Sequence, residues 1–288
     1  MKGQITYRHA DVLNVDHFKS GNLLQFVSGS SFVYYNANDE CVYECAYSAS
    51  QIQPNSVINN LQNVVSLLFQ PVEQLLVVCC QQSVKVFNSA YVLVNSLNLQ
   101  SDQHSAVVHN NNLFVLSRFS SILFQKNESK YTKLEFKAIQ LFKLNNQVFV
   151  IGENQILNVD SLQFVPLQIQ GKIEAVCEYE QKMAVVTSER QIIILTNEFK
   201  SEKTIQKVSK QSAVFMKQHQ DKIILASEAN EIINVEIQQN TKQRKEQTIT
   251  QVKMDFYNSE FKADSIWIGA DAIEGKCAGI TETGIYCW

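Results

Sequence analysis

An all-β fold of repeated four-stranded units, closed into a seven-bladed β-propeller, is what this sequence predicts. Two observations carry the prediction: a pair of short apolar runs around a polar turn that recurs seven times, and a spacing between recurrences that fits one propeller blade. The pairs are Leu23–Asn36, Leu75–Asn88, Leu113–Lys126, Val148–Asp160, Met183–Asn197, Ile223–Glu236 and Cys277–Trp288. Each run holds four to six β-branched, aromatic or aliphatic residues bounded by Ser, Asn, Gln, Glu or Gly, the pattern of a β-hairpin. With turns near Ser30, Gln82, Ser120, Asn154, Arg190, Ala229 and Thr283, the mean spacing is about 42 residues. A four-stranded blade takes about 40–45.

Further apolar runs flank the hairpins. Val65–Phe69, Ala138–Leu144, Ile173–Tyr179 and Ser212–Lys217 precede them; Cys41–Tyr47, Tyr91–Leu97, Tyr131–Phe136 and Leu162–Ile169 follow. Four strands per unit is the arithmetic of a propeller. No window of helical length carries a 3.6-residue apolar period. The stretch Ile52–Gln62 reads as a short helix or an inter-strand loop and accounts for the long first interval. Trp288 falls on the third strand of the last unit, while Gln4–His9 is a strand without a hairpin. The N-terminal strand is therefore expected to complete the last blade and remove an open sheet edge, making residues 1–288 a single domain.

Composition narrows the function. Hydrophobic residues make up 45% and charged residues 18%, ample for a buried core, and the net charge of −3 gives no electrostatic reason for nucleic acid or anionic lipid as partner. Lys242–Glu246, the single basic cluster, lacks interleaved aromatics and reads as a solvated loop. The apolar runs are far shorter than the roughly 20 residues a membrane helix needs, so no membrane insertion is expected. The first ten residues lack the apolar stretch of a secretory signal. Seven cysteines, an odd number, lie largely inside apolar runs, which points to buried thiols and to cytoplasm or nucleus. Asn and Gln total 53 and are spread between strands, as turn and surface residues.

Tyr7–Asn36 resembles a WD40 repeat nearly end to end. His9 stands where that family has Gly-His, Val12 and Val15 fall on the first strand, Gly21-Asn22 at the first turn, and Phe32–Tyr35 on the third strand. Ser66–Asn88 is similar, with Phe87-Asn88 in the Trp-Asp position. The sequence has neither a Trp-Asp nor a Gly-His dipeptide, and the turn aspartate is mostly Ser, Gln or Glu. The family's hydrogen-bond network is therefore expected to be absent, with each blade relying more on packing. The tail Glu274–Trp288 looks instead like a chromosome-condensation-regulator repeat, and that resemblance implies action on a small GTPase or chromatin.

Catalytic chemistry has no support in the sequence. The five histidines stand alone or five to eight apart, no C-x-x-C or H-x-x-x-H occurs, and nine glycines form no phosphate loop. Cys41 and Cys45 share one face of a strand and read as structural thiols. Asp11 and Asp16 point to opposite faces at a spacing of five. No cofactor, metal or small-molecule substrate is expected, and the chain is read as a non-catalytic scaffold or adaptor that binds other proteins. The WD40 resemblance implies a binding face made of central hairpin turns and inter-blade linkers. On this sequence that face carries His9, His104, Arg118, Phe119 and Arg190. Phe119 has two open readings: an exposed anchor beside Arg118, or a ring folded back against the channel wall.

Overall fold

The structure, a computed structural model, describes residues 5–7, 22–47, 54–209, 211–219, 222–227, 232–237, 252–257, 267–273, 276–281 and 285–287. His9, Asp11, Val12, Val15, Asp16, Gly21 and Lys242–Glu246 lie outside the described residues.

After β1 (Ile5–Tyr7), a first sheet is formed by β2 (Leu24–Ser28), β3 (Ser31–Asn36), β4 (Cys41–Ala46) and β5 (Asn55–Ile58). The second contains β6 (Val64–Gln70), β7 (Leu75–Cys80), β8 (Ser83–Asn88) and β9 (Leu93–Asn98). In the third are β10 (His104–His109), β11 (Asn112–Ser117), β12 (Ile122–Gln125) and β13 (Lys130–Lys133). Then come β14 (Ala138–Leu144), β15 (Gln147–Gly152), β16 (Gln155–Asn158) and β17 (Gln163–Pro166). The fifth sheet holds β18 (Ile173–Tyr179), β19 (Lys182–Thr187), β20 (Ile192–Leu195) and β21 (Ser201–Ile205). The sixth holds β22 (Ala213–His219), β23 (Lys222–Ser227), β24 (Ile232–Ile237) and β25 (Val252–Tyr257). A last sheet joins β26 (Trp267–Ile273), β27 (Lys276–Thr281) and β28 (Ile285–Cys287), with β1 hydrogen-bonded to β28.

The described residues thus form seven antiparallel four-stranded sheets. The innermost strands touch in sequence, from β2 to β6, β10, β14, β18, β22 and β26, and β26 lies against β2. This radial arrangement is a β-propeller.

Both faces of each inner sheet are covered, so its strands read as continuous apolar runs and alternate residues serve different neighbours. On β11, Leu113 and Val115 pack toward the second sheet, while Phe114 and Leu116 pack toward the fourth. The same division on β15 sends Val148 and Val150 one way and Phe149 and Ile151 the other. Among the described residues each core cluster therefore spans neighbouring sheets.

Turn chemistry accounts for part of the amide content. The hairpins β10–β11, β14–β15 and β18–β19 turn on Asn110-Asn111, Asn145-Asn146 and Glu180-Gln181, with φ between 48° and 61° at all six positions. A two-residue hairpin with both central residues left-handed matches the twist of its strands, and Asn tolerates that conformation well.

Three expectations about the first unit need correction. Phe32–Tyr35 lies on β3, the second strand of its sheet and not the third. The central turn is Ala37–Glu40, so the true interval from Asn38 to Gln82 is 44 residues, not 52. Of the expected helix or loop Ile52–Gln62, the described part, 54–62, contains the outer strand β5. That strand exposes Asn55 and Ser56 and buries only Ile58, which leaves too little apolar signal to read.

Of the six cysteines whose side chains are described, all are free thiols; Cys45, Cys79, Cys80, Cys177 and Cys287 are buried and Cys41 is partly exposed. Burial pushes Cys45 and Cys79 up to about 12 and raises Cys80 and Cys177 as well. A thiol reagent at neutral pH is expected to modify Cys41 first and to reach all seven cysteines only after denaturation. Because the folded-state pKa values are raised, the stability gained by packing these thiols neutral is fully present below the unfolded value of about 9 and declines as pH rises from there toward about 12. Rapid labelling of five or more thiols in the native protein would contradict the packing.

Candidate protein-binding face

One end of the propeller is made of the central turns between the second and third strands, together with the linkers between sheets. Its geometry repeats. An apolar linker residue donates its backbone N–H to a carbonyl of the preceding central turn: Leu61 to Glu40 at 2.8 Å, Leu99 to Gln82 at 2.9 Å and Leu134 to Ser121 at 2.8 Å. Leu167 to Asn154 at 2.9 Å and Val208 to Arg190 at 3.0 Å continue the series. Leu61, Leu134, Leu167 and Val208 are buried. Each latch fixes a turn against its linker, which gives this face a rigid frame.

The third sheet adds a polar cluster. Asp102, on the linker from β9 to β10, accepts hydrogen bonds from the N–H of Phe119 (3.0 Å), the N–H of Ser120 (3.1 Å) and the hydroxyl of Ser120 (2.7 Å). It also accepts the Gln103 amide at 2.6 Å. Burial alone would raise the Asp102 carboxyl, but these donors overcome it and hold the group below its ordinary value. In this sheet the Asp102 hydrogen bonds therefore add to the packing on which the blades were expected to rely more. The aspartate sits on the linker rather than in the turn, where turn-based motif reading does not look.

Phe119 is held at its backbone by Asp102 while its side chain is 76% exposed, which settles the two readings of this ring in favour of exposure. Arg118 is partly buried at its side; its backbone N–H donates to the Gln103 carbonyl at 2.9 Å. Burial lowers the Arg118 guanidinium, and the Asp102 carboxylate opposes that.

The other expected site residues are placed differently. His104 is not a surface group: it is 3% exposed on β10, with Nε2 3.1 Å from the Gln81 carbonyl and Nδ1 3.2 Å from the Ser117 hydroxyl. Burial lowers its pKa, against Asp102 and nearby carbonyls that raise it. The histidine is a structural link between the second and third sheets. Arg190 is exposed in the fifth sheet's turn, with φ 62°. It shares the face with Phe119 but is not its neighbour, because the turn of the fourth sheet lies between them. That turn carries Glu153, paired at 3.0 Å with both Lys137 and Lys172 from the flanking linkers. Among its described residues, the face therefore presents the exposed Phe119 ring on the turn next to a charged arc.

Among the described residues, no group of three or more His, Cys, Asp or Glu side chains is placed to hold a metal ion. Polar side chains of the inner strands are spent on the ring itself. Gln70 exchanges hydrogen bonds with Val108 at 2.9 and 2.7 Å, Ser105 accepts the Leu141 N–H at 3.0 Å, and Glu174 accepts that of Ala213 at 2.8 Å. No described helix is long and apolar enough to cross a membrane.

No protein-family model matches the sequence, and no curated protein matches it. Solved structures do. The WD40 β-propeller domain of Doa1 superposes with a TM-score of 0.67 at 9% identity, over 99% of this chain and 96% of that one. BBS1N, solved in complex with ARL6DN, gives 0.63 at 10% identity, over 99% and 95%. Streptogramin B lyase gives 0.68 at 8% identity, over 98% and 96%. These likenesses show a β-propeller fold, shared with the WD40 propeller domain of Doa1. They include both a protein-bound propeller and a lyase, so the fold does not choose between binding and catalysis.

Proposed function

We propose that this chain is a non-catalytic scaffold or adaptor: a seven-bladed propeller, closed by pairing of β1 with β28, that binds other proteins through the face carrying Phe119. The observation that carries this reading is a large aromatic ring presented to solvent on a turn whose backbone is fixed by three hydrogen bonds from Phe119 and Ser120 to Asp102. A pre-ordered aromatic loses little entropy on binding, and interface energy concentrates in such anchors, with Arg beside them. The complex of BBS1N with ARL6DN offers a precedent for a propeller of this shape holding a protein. The β1–β28 pairing counts against the chromosome-condensation-regulator reading, which would close the last blade within the tail. The buried thiols fit a reducing compartment, cytoplasm or nucleus. Nucleic acid and small-molecule substrates are not part of this proposal.

The test is affinity purification of tagged protein from its own cells, followed by mass spectrometry, with wild type and Phe119→Ala in parallel. Specific partners recovered with the wild type and lost with the variant are the expected result. An identical partner list for both removes the proposed face.

A further inference from the structure

The opposite end of the propeller has a cleft between the first and second sheets, about 150 Å³ in volume, whose chemistry is not used by the face described above. Its walls include Val27, Phe69 and Leu76, and Glu44 and Tyr91 bring the polar groups. Tyr91 stands in the left-handed region, φ 57°, where a bulky residue is an outlier. It is held there by its N–H to the Asn88 carbonyl at 2.9 Å, while Asn88 Oδ1 accepts the N–H groups of Ala90 and Val92 at 3.0 and 2.9 Å. This geometry brings Tyr91 to the boundary between sheets, where it lines the cleft with Glu44, and burial and that carboxylate raise the phenol's pKa.

Glu44 has acceptor capacity to offer a ligand, since a carboxylate presents about four lone-pair sites. Among the described residues no Lys or Arg pairs with it. Lys276, which reaches this end of the molecule, is engaged with the Gly29 carbonyl and lies 5.5 Å from the Tyr47 ring centre. A carboxylate between apolar and aromatic walls selects a cation with an apolar stem. The volume excludes the drug-sized ligands that occupy roughly 300–1,000 Å³ and suits one long side chain.

We infer that this cleft receives an arginine side chain of a partner polypeptide, its guanidinium on Glu44, its plane beside Phe69 and Tyr91, and its methylenes against Val27 and Leu76. Arginine is favoured over lysine because a planar guanidinium both pairs with a carboxylate through two N–H groups and stacks on aromatic rings. The inference rests on the scaffold reading only in assigning the arginine to another protein.

The probe is acetyl-arginine methylamide, titrated into ¹⁵N-labelled full-length protein and followed by two-dimensional NMR, so no partner has to be known. Saturable shifts confined to the amides around Ser28–Ser31, Glu44 and Ser89–Tyr91 are expected, with no response to the glutamate derivative and a weaker one to the lysine derivative. Glu44→Gln keeps the shape and a side-chain acceptor but removes the charge, and should weaken binding by roughly tenfold or more. The absence of localised shifts, equal binding of lysine and arginine derivatives, or undiminished binding by Glu44→Gln would each overturn the inference. Comparing the derivatives on the wild type decides the matter even if the variant folds poorly. Failure here leaves the Phe119 face untouched, because the two sites lie at opposite ends and are read by different experiments.

Discussion

Asp271→Ala is expected to lower the melting temperature by roughly 5 °C, the equivalent of about 3 kcal/mol. Asp271 lies on β26 and is 2% exposed. It accepts the Phe26 N–H of the first sheet at 2.7 Å and the Ala272 N–H at 2.9 Å, and it pairs with Lys217 of the sixth sheet. One carboxylate thus ties three consecutive sheets together. Alanine would leave the Phe26 amide without its acceptor and strand the Lys217 ammonium. Breaking a buried pair costs about 3–5 kcal/mol, and the lower end applies because the Lys217 side chain is 38% exposed and keeps some water. Asp271→Asn retains an acceptor for Phe26 and should fall between the two. A thermal melt of the three proteins checks the ordering; an alanine variant as stable as wild type would show that this tie contributes nothing.

Deleting residues 1–10 removes β1 and should destabilise the whole ring. The register pairs Ile5 with Tyr286 and Tyr7 with Ile285, so the deletion exposes the edge of β28. The lost backbone bonds are worth roughly 1 kcal/mol each, so the direct cost is on the order of 2 kcal/mol. Opening an edge adds a second consequence, because an unpaired strand recruits other chains. The truncated protein should melt earlier and self-associate on size-exclusion chromatography. Unchanged melting with a monomeric profile would contradict closure by β1.

The fold was legible where strands bury both faces. Runs such as Leu75–Cys80 and Ile192–Leu195 announce themselves because every residue in them meets a neighbouring sheet. Outer strands were harder. Ser201–Ile205 and Asn55–Ile58 pair along one edge, expose most of their side chains and carry ordinary polar residues, so no periodicity marks them. The first hairpin was misread by one strand for the same reason, since losing the weak outer strand shifted every position in its unit.

The candidate site was only partly visible. Phe119 stood out as a large aromatic in a turn, and its exposure follows from that turn being pinned. The pin itself, Asp102, is 17 residues away on another element. The WD40 resemblance placed His104 on the binding face, yet it opens an inner strand and is buried there. Glu44 and Tyr91 meet only because two sheets stand side by side, a juxtaposition that no local motif encodes.

The central claim, that the Phe119 face is the protein-binding surface, is tested most directly by pairing two measurements on Phe119→Ala: its melting temperature and its dissociation constant for a captured partner. With the ring 76% exposed, stability should change by no more than about 0.5 kcal/mol. Loss of a central anchor should raise the dissociation constant by roughly thirtyfold, corresponding to about 2 kcal/mol. A dissociation constant equal to that of wild type, with the melting temperature equally unmoved, would contradict the account.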